Sequence, residues 1–174
     1  MNPATNRMAD LVETLIADDR WQNENIGAVA EKTCRGVLAE LSLAPENFEI
    51  SLLASSNQQI ATLNSNFRGR STATNVLSWP AFDLAAQHEG DAPFLPEFNG
   101  FEPATGLGDI AVAFETCKSE AKSLKRSLND HLIHLLAHGC LHLLGYDHVL
   151  EKDAALMEAL EVKILAKLGV ADPY

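Results

Sequence analysis

The sequence of 174 residues is poor in cysteine and has no long apolar run. No segment offers about 18 uncharged apolar residues in succession, so no transmembrane helix is predicted. The opening residues, MNPATNRMAD, lack the apolar core of a signal peptide. Its three cysteines, Cys34, Cys117 and Cys140, form no C-x-x-C pair, which argues against a disulfide framework or a thiolate zinc site. We therefore expect a cytoplasmic protein with reduced, structural thiols.

Positive charge is also scarce. The chain has 13 Lys and Arg against 24 Asp and Glu, a formal net charge of -11. This balance argues against a protein that holds nucleic acid through a general basic surface. Residues 61–80 nevertheless contain Arg68 and Arg70 and no acidic residue. A second basic group comprises Lys118, Lys122, Lys125 and Arg126. That group fits either a solvated helix face or a local patch that attracts phosphate.

No repeat, low-complexity run or linker divides the chain, so we expect one domain over residues 1–174. Apolar periodicity and turn residues predict strands at residues 11–21, 48–55, 75–80 and 108–115 and helices at 26–41, 58–67, 116–125, 127–144 and 151–168. A short helix fits residues 11–21 nearly as well as a strand. The order predicts an α+β fold, with a small mixed β-sheet packed against helices. Residues 83–105, rich in glycine and proline, are predicted to form a loop that acts as a flap.

Five of the six histidines fall within residues 131–148. His131, His134, His138 and His142 share one stripe of a predicted helix. A helix rises about 1.5 Å per residue, whereas zinc ligands must converge on one ion at about 2.1 Å. Only histidines four residues apart can therefore share a metal ion.

The pair His138 and His142 is followed by Gly145, which permits a turn, and then by His148. We therefore predict a zinc site on the helix and the turn after it, with His138, His142 and His148 as ligands. The fourth position stays open, as catalytic zinc requires. The alternative is a histidine-rich face that packs or is solvated without metal.

Other polar residues near this segment have ordinary interpretations as well. Ser127 with Asp130 resembles a capping box at the start of the histidine helix, and Gly145 is placed to end it. His131 and His134 fit ordinary polar and core positions better than supporting roles at a metal. Asp147 fits two roles equally, orienting an imidazole or stabilising the turn.

The histidine spacing resembles the metzincin zinc proteases, H-E-x-x-H-x-x-G-x-x-H, but Gly139 stands where the catalytic glutamate belongs. Peptide hydrolysis thus lacks its usual base. Three-histidine zinc itself lowers the pKa of its water to about 7, so hydrolysis stays feasible. A cation such as Arg68 would help on a phosphate substrate, because its guanidinium matches two oxygens at once.

Residues 138–148, HGCLHLLGYDH, resemble the signature H-G-x-L-H-L-L-G-Y-D-H of the YbeY-type endoribonucleases. Further similar segments are FRGRSTATNVLSWP, LGDIAV, MEALE and the closing DPY. The resemblance covers nearly the whole chain from about Phe48. Ser71 to Ala73 and Trp79 depart from the family pattern, and the insertion before LGDI is longer than expected. The resemblance implies zinc at the three histidines and places Arg68 at the family's functional arginine.

The resemblance also implies a function. We expect a zinc-dependent, single-strand-specific endoribonuclease acting in 16S rRNA 3′-end maturation and ribosome biogenesis, with water on the zinc as nucleophile and Arg68 as phosphate stabiliser. Its expected partners are precursor rRNA, the small ribosomal subunit and assembly factors, with no membrane and no DNA. Two alternatives stay open. One is a non-catalytic ribosome assembly factor with a structural zinc, and the other is a zinc peptidase.

Overall fold

The computed structural model describes residues 10–68, 73–98, 100 and 103–174, without the side chains of Phe67 and Arg68. The strands are β1 (Val12–Ile16), β2 (Phe48–Ser55), β3 (Val76–Pro80) and β4 (Thr105–Ala113). The helices are α1 (Ile26–Glu40), α2 (Asn57–Arg68), α3 (Phe114–Ser123), α4 (Leu128–Leu143) and α5 (Glu151–Lys167). The predicted order of strands and helices is confirmed.

The four strands form one sheet in the order β1-β2-β4-β3. β1, β2 and β4 run parallel, whereas β3 is antiparallel to β4 and lies at the edge. An edge position accommodates Pro80, which has no N–H to donate to a neighbouring strand. The α+β class with a small mixed sheet is therefore confirmed.

Helix α4 lies at the centre of the helical layer and packs against α1, α3, α5, β3 and β4. Ten of its sixteen residues are buried, so its apolar surface extends around most of the helix. Leu132, Leu136 and Leu141 are completely buried in the core that it shares with the sheet. The histidines of α4 therefore lie on a largely buried helix, which is a rigid support for a functional site.

Strand β1 is shorter than predicted, because the strand pattern over residues 11–21 holds only for its first part. The side chain of Asp18 accepts a hydrogen bond from Arg20 N (3.1 Å) and begins a 3₁₀ turn, Asp19–Glu24. Trp21 lies in this turn and donates from Nε1 to the carbonyl of Ser55 (2.9 Å). The indole is thereby buried at the end of the sheet, outside the strand.

The loop between β3 and β4 contains no helix or strand in its described residues, 81–98, 100 and 103–104, as predicted. It is nevertheless tied to the start of α5. Gly90 N donates to Asp153 Oδ1 (2.7 Å), and Lys152 N donates to Glu89 Oε1 (3.1 Å). The action of this loop as a flap stays a prediction. None of the helices within residues 10–68 and 103–174 combines the length and apolar character needed to cross a membrane.

Candidate metal centre

The two ends of α4 are set by local sequence. Ser127 Oγ accepts a hydrogen bond from Asp130 N (3.0 Å), which confirms the predicted N-cap. At the other end Gly145 has φ +89°, and Tyr146 N donates to the carbonyl of Leu141 (3.1 Å). This is the left-handed helix stop predicted for Gly145. The chain therefore turns back directly after α4.

The turn brings three histidines together. One ligand atom from each of His138, His142 and His148 lies within 4.8 Å of the others, and the Nε2 atoms of His138 and His142 are 3.0 Å apart. Ligand nitrogens around a tetrahedral zinc, with bonds of about 2.1 Å, are about 3.4 Å from one another. The 3.0 Å separation is slightly shorter than that spacing, and the upper limit of 4.8 Å for the whole group is compatible with it. The assignment of the three residues as zinc ligands stays a prediction, and this geometry fits it.

The ring of His142 is oriented by the turn. Its Nδ1 lies 2.9 Å from the carbonyl oxygen of Tyr146. A carbonyl only accepts, so Nδ1–H is the donor and the lone pair of Nε2 faces the cluster. Burial, together with His138 and His148, lowers the pKa of His142 to about 4. The ring is therefore neutral near pH 7, which is the form that binds metal.

The ring of His138 is oriented by Glu161 of α5. Its Nδ1 lies 2.6 Å from Glu161 Oε1, and the Glu161 side chain is completely buried. Burial alone would raise the pKa of Glu161, but contacts with His134, His138 and Tyr174 outweigh it and lower the pKa to about 2. The carboxylate is thus charged and accepts from Nδ1–H, which directs the Nε2 lone pair into the cluster. Carboxylate–histidine pairs of this kind accompany metal ligands generally.

Neighbouring polar residues lie outside the cluster. His131 is buried and its Nε2 is 2.8 Å from Glu120 Oε2, so it links α4 to α3. His134 Nε2 lies 3.9 Å from Glu161 Oε2, behind His138. Asp147 Oδ1 accepts from His148 N (2.7 Å). Of the two roles considered for Asp147, this contact matches stabilisation of the turn.

Arg68 is the last residue of α2. Its side chain lies outside the described part of the structure, so its predicted contact with phosphate stays a prediction. Arg70 and residues 71–72 also lie outside the described residues.

A cleft of about 660 Å³ opens beside the cluster. One wall is formed by β3 and the residues after it, and the other by the end of α4 and its turn. The lining residues include Asn75, Ser78, Phe82, Leu84, His138, His142 and His148. Phe82 is 46% exposed, so an aromatic face is available within this cleft.

Gly139, which replaces the protease glutamate, faces the sheet and not the cleft. A Cβ atom at this position would lie 3.1 Å from Ser78 Oγ and 3.4 Å from two side-chain carbons of Ile110. The helix and the sheet approach so closely here that a larger residue would have to displace its neighbours. The glycine is thus explained by packing.

The sequence reasoning did not identify Glu161, Tyr174 or the carbonyl of Tyr146 as parts of the site. A signal for two of them was present, because Glu161 ends MEALE and Tyr174 ends DPY. Neither segment was given a role, since local spacing does not connect it to His138. Only the packing of α5 against α4 brings them together.

Comparisons with known proteins agree with the fold and with the segments quoted above. A sequence model of the family described as Endoribonuclease YbeY matches residues 13–169. Proteins named Endoribonuclease YbeY from Ruegeria pomeroyi and Cereibacter sphaeroides are each 47% identical to this chain, over 163 and 167 residues. The alignments cover 94% and 96% of this chain and 97% and 100% of those proteins.

Among solved structures, the solution structure of TM1509 from Thermotoga maritima is similar, with a TM-score of 0.50 and 17% identity. The match covers 93% of this chain and 97% of that one. At this identity the likeness concerns the fold alone.

Proposed function

Because the chain belongs to the Endoribonuclease YbeY family, we propose that it is a zinc-dependent, single-strand-specific endoribonuclease. We propose further that it acts in 16S rRNA 3′-end maturation and ribosome biogenesis. The observation that supports a metal enzyme most directly is the convergence of three imidazoles at the wall of an open cleft. A cytoplasmic location and partnership with precursor rRNA, the small ribosomal subunit and assembly factors belong to the same proposal.

Each residue of the site has a separate role in this proposal. His138, His142 and His148 would hold the zinc ion, which when bound supplies a Lewis acid and an activated water for attack on phosphate. Glu161 and the carbonyl of Tyr146 hold two of the rings in the orientation that binding requires. Arg68 is proposed to bind the phosphate, because its planar guanidinium can donate to two oxygens at once.

The cleft also offers a contact for the bases. An acidic protein gains little affinity for RNA from its overall charge. Stacking of a base on an aromatic side chain contributes about 1–3 kcal/mol without any charge, and it requires an unpaired base. Phe82 is exposed within the cleft and can provide such a surface. This arrangement favours single-stranded over double-stranded RNA.

No observation favours the peptidase alternative. The helix provides no glutamate at Gly139, and a Cβ atom at that position would already crowd the side chains of Ser78 and Ile110. An assembly factor with a structural zinc would share the histidines, so activity must separate it from the proposed enzyme.

The test combines metal analysis with RNA cleavage. We expect one zinc ion per purified chain, cleavage of single-stranded RNA, loss of cleavage with a chelator and recovery when zinc is restored. His142→Ala should lose both zinc and cleavage. His88→Ala is the matched control, because that histidine lies on the loop between β3 and β4 with a side chain 79% exposed. Zinc-loaded protein that cleaves no RNA would contradict the proposal in favour of the assembly factor.

A further inference from the structure

Both oxygens of the buried Glu161 carboxylate are engaged, each by a different part of the chain. Oε1 accepts from His138 Nδ1 at 2.6 Å, and Oε2 accepts from the hydroxyl of Tyr174. The three side chains therefore form one continuous line of hydrogen bonds, from the segment after α5 to the histidine cluster. Without the Tyr174 hydroxyl, Oε2 would keep only the longer contact with His134 Nε2 (3.9 Å), so the carboxylate would be freer to rotate about its last bond.

From this arrangement we infer that Tyr174 is a positioning residue of the metal site, which acts through Glu161 on His138. The inference rests on the proposed function, because it assumes that the cluster binds a metal ion. By fixing the carboxylate, the Tyr174 hydroxyl fixes the plane of the His138 ring and the direction of its Nε2 lone pair. Metal affinity depends on such supporting contacts, because a ligand that is already oriented loses less freedom on binding.

The hydroxyl of Tyr174 is separable from the packing of its segment. Val170 is buried and anchors the segment after α5. Arg126 donates to the carbonyl of Asp172 (3.3 Å), and Tyr174 N donates to Asp172 Oδ1 (2.9 Å). Tyr174 itself is 62% exposed and adds little to the core. Removal of the hydroxyl alone should therefore leave the segment in place.

The two ligands on α4 differ in how they are held. His142 donates to a backbone carbonyl, which no side-chain substitution removes. His138 depends on the side chains of Glu161 and Tyr174. Substitutions at these two positions should therefore change metal binding through one ring alone.

The experiment compares zinc affinity in three variants, by competition with a chromogenic chelator. Glu161→Gln should bind Zn²⁺ about 10- to 100-fold more weakly than the wild type, the usual effect of losing a partner of a metal ligand. Tyr174→Phe should bind roughly fivefold more weakly, because it loses only the support of that partner. Glu49→Gln is the control, since this carboxylate is exposed on β2 and does not line the cavity around His138, Glu161 and Tyr174, and the zinc affinity of this variant should stay within about twofold of the wild type.

Two further measurements separate positioning from general stability. The visible absorption of Co²⁺ bound in place of zinc reports ligand geometry, and it should change in Tyr174→Phe. The melting temperature of the metal-free protein should stay close to that of the wild type. A lower melting temperature with unchanged zinc affinity and cobalt spectrum in Tyr174→Phe would overturn the inference. If Glu161→Gln does not fold, Tyr174→Phe decides the question alone. Wild-type protein that binds neither Zn²⁺ nor Co²⁺ would overturn the proposed function, and this inference with it.

Discussion

The backbone of Leu84 lies directly against Gly145. A Cβ atom on Gly145 would be 2.8 Å from the carbonyl carbon of Leu84 and 2.9 Å from its oxygen. Gly145 also has φ +89°, a conformation that residues with a Cβ rarely adopt. Two separate constraints thus exclude a side chain from the turn that precedes His148. The loop before β4 and the third histidine are held in one arrangement by this contact.

We expect Gly145→Ala to lower the free energy of unfolding and to weaken zinc binding, because the turn must shift away from Leu84. Gly169→Ala is a matched control, since Gly169 has φ +81° but nothing within 4 Å of an added Cβ. Gly169→Ala should lower the free energy of unfolding by about 1 kcal/mol, because only the backbone conformation is unfavourable there. Urea unfolding should show a larger loss in Gly145→Ala, by at least about 1 kcal/mol for the added clash. Equal losses of stability in the two variants would show that the contact with Leu84 does not restrict the turn.

Arg68→Ala should lower RNA cleavage by about a hundredfold or more, the scale seen when one stabilising donor is lost from an active site. Zinc content and melting temperature should stay nearly unchanged. Arg68→Lys should restore little, because a point charge does not reproduce a two-pronged contact. Lys32→Ala removes a positive charge from the exposed face of α1 and should leave cleavage intact. Wild-type cleavage by fully zinc-loaded Arg68→Ala would show that this arginine is an ordinary surface charge.

Gly139→Glu should confer no peptidase activity and no gain in RNA cleavage. The new side chain would be directed at Ser78 and Ile110 and not at the cluster, and an added anion would repel phosphate. Crowding of this kind typically costs about 1–3 kcal/mol of stability. Gly106→Glu is the control, because an added Cβ there meets nothing within 4 Å. Thermal unfolding and a peptide cleavage assay test both parts, and any gain of peptidase activity would contradict the packing argument.

Phe82→Ala should raise the KM for single-stranded RNA by roughly 5- to 150-fold, the equivalent of about 1–3 kcal/mol of base stacking. Phe82→Trp should retain affinity, whereas Phe82→Leu should not, because only an aromatic ring stacks. Phe94 lies on the same loop and is 55% exposed, but it is not among the residues that line the cleft. Phe94→Ala should therefore leave KM unchanged. Equal effects at both positions would indicate a general change in the loop.

Glu31 connects α1 to β1, and its contribution to stability should depend on pH. Its carboxylate accepts from Leu11 N (3.1 Å) and Val12 N (2.8 Å). Burial would raise the pKa of Glu31, but these hydrogen bonds and that from Arg35 outweigh it, so the pKa is lowered. A lowered pKa in the folded state stabilises the protein above the unfolded value, near 4.5, and this stabilisation is lost as the pH falls through the folded value.

Glu31→Gln should therefore lower the free energy of unfolding by about 1–2 kcal/mol at pH 7. This difference in stability from the wild type should shrink below about pH 4. Denaturant unfolding at pH 7 and pH 3 measures both values. Glu13→Gln, at an exposed position of β1, should show no such dependence. A difference that stayed constant with pH would mean that the charge of Glu31 contributes nothing.

The parts of the site that follow from local rules were predictable. Ser127 and Gly145 mark the ends of α4 because capping and left-handed turns depend on neighbouring residues alone. The pairing of His138 with His142 follows from the helical repeat. Glu161 and Tyr174 could not be placed, because their contact with His138 arises from the packing of α5 on α4. The strand order was unreadable for the same reason, since pairing between distant segments leaves no local signal.

The three histidines differ in how firmly they are held, and this difference has a kinetic consequence. His138 and His142 stand on the enclosed helix with their Nδ1 atoms bonded, whereas the His148 ring lies in an exposed turn and has no hydrogen bond within the described part of the chain. If the cluster holds zinc as proposed, His148 would be the ligand whose withdrawal disturbs the fold least, because only its turn would have to move. Exchange of zinc with the surroundings should then proceed through opening of the turn alone, at a rate independent of global unfolding.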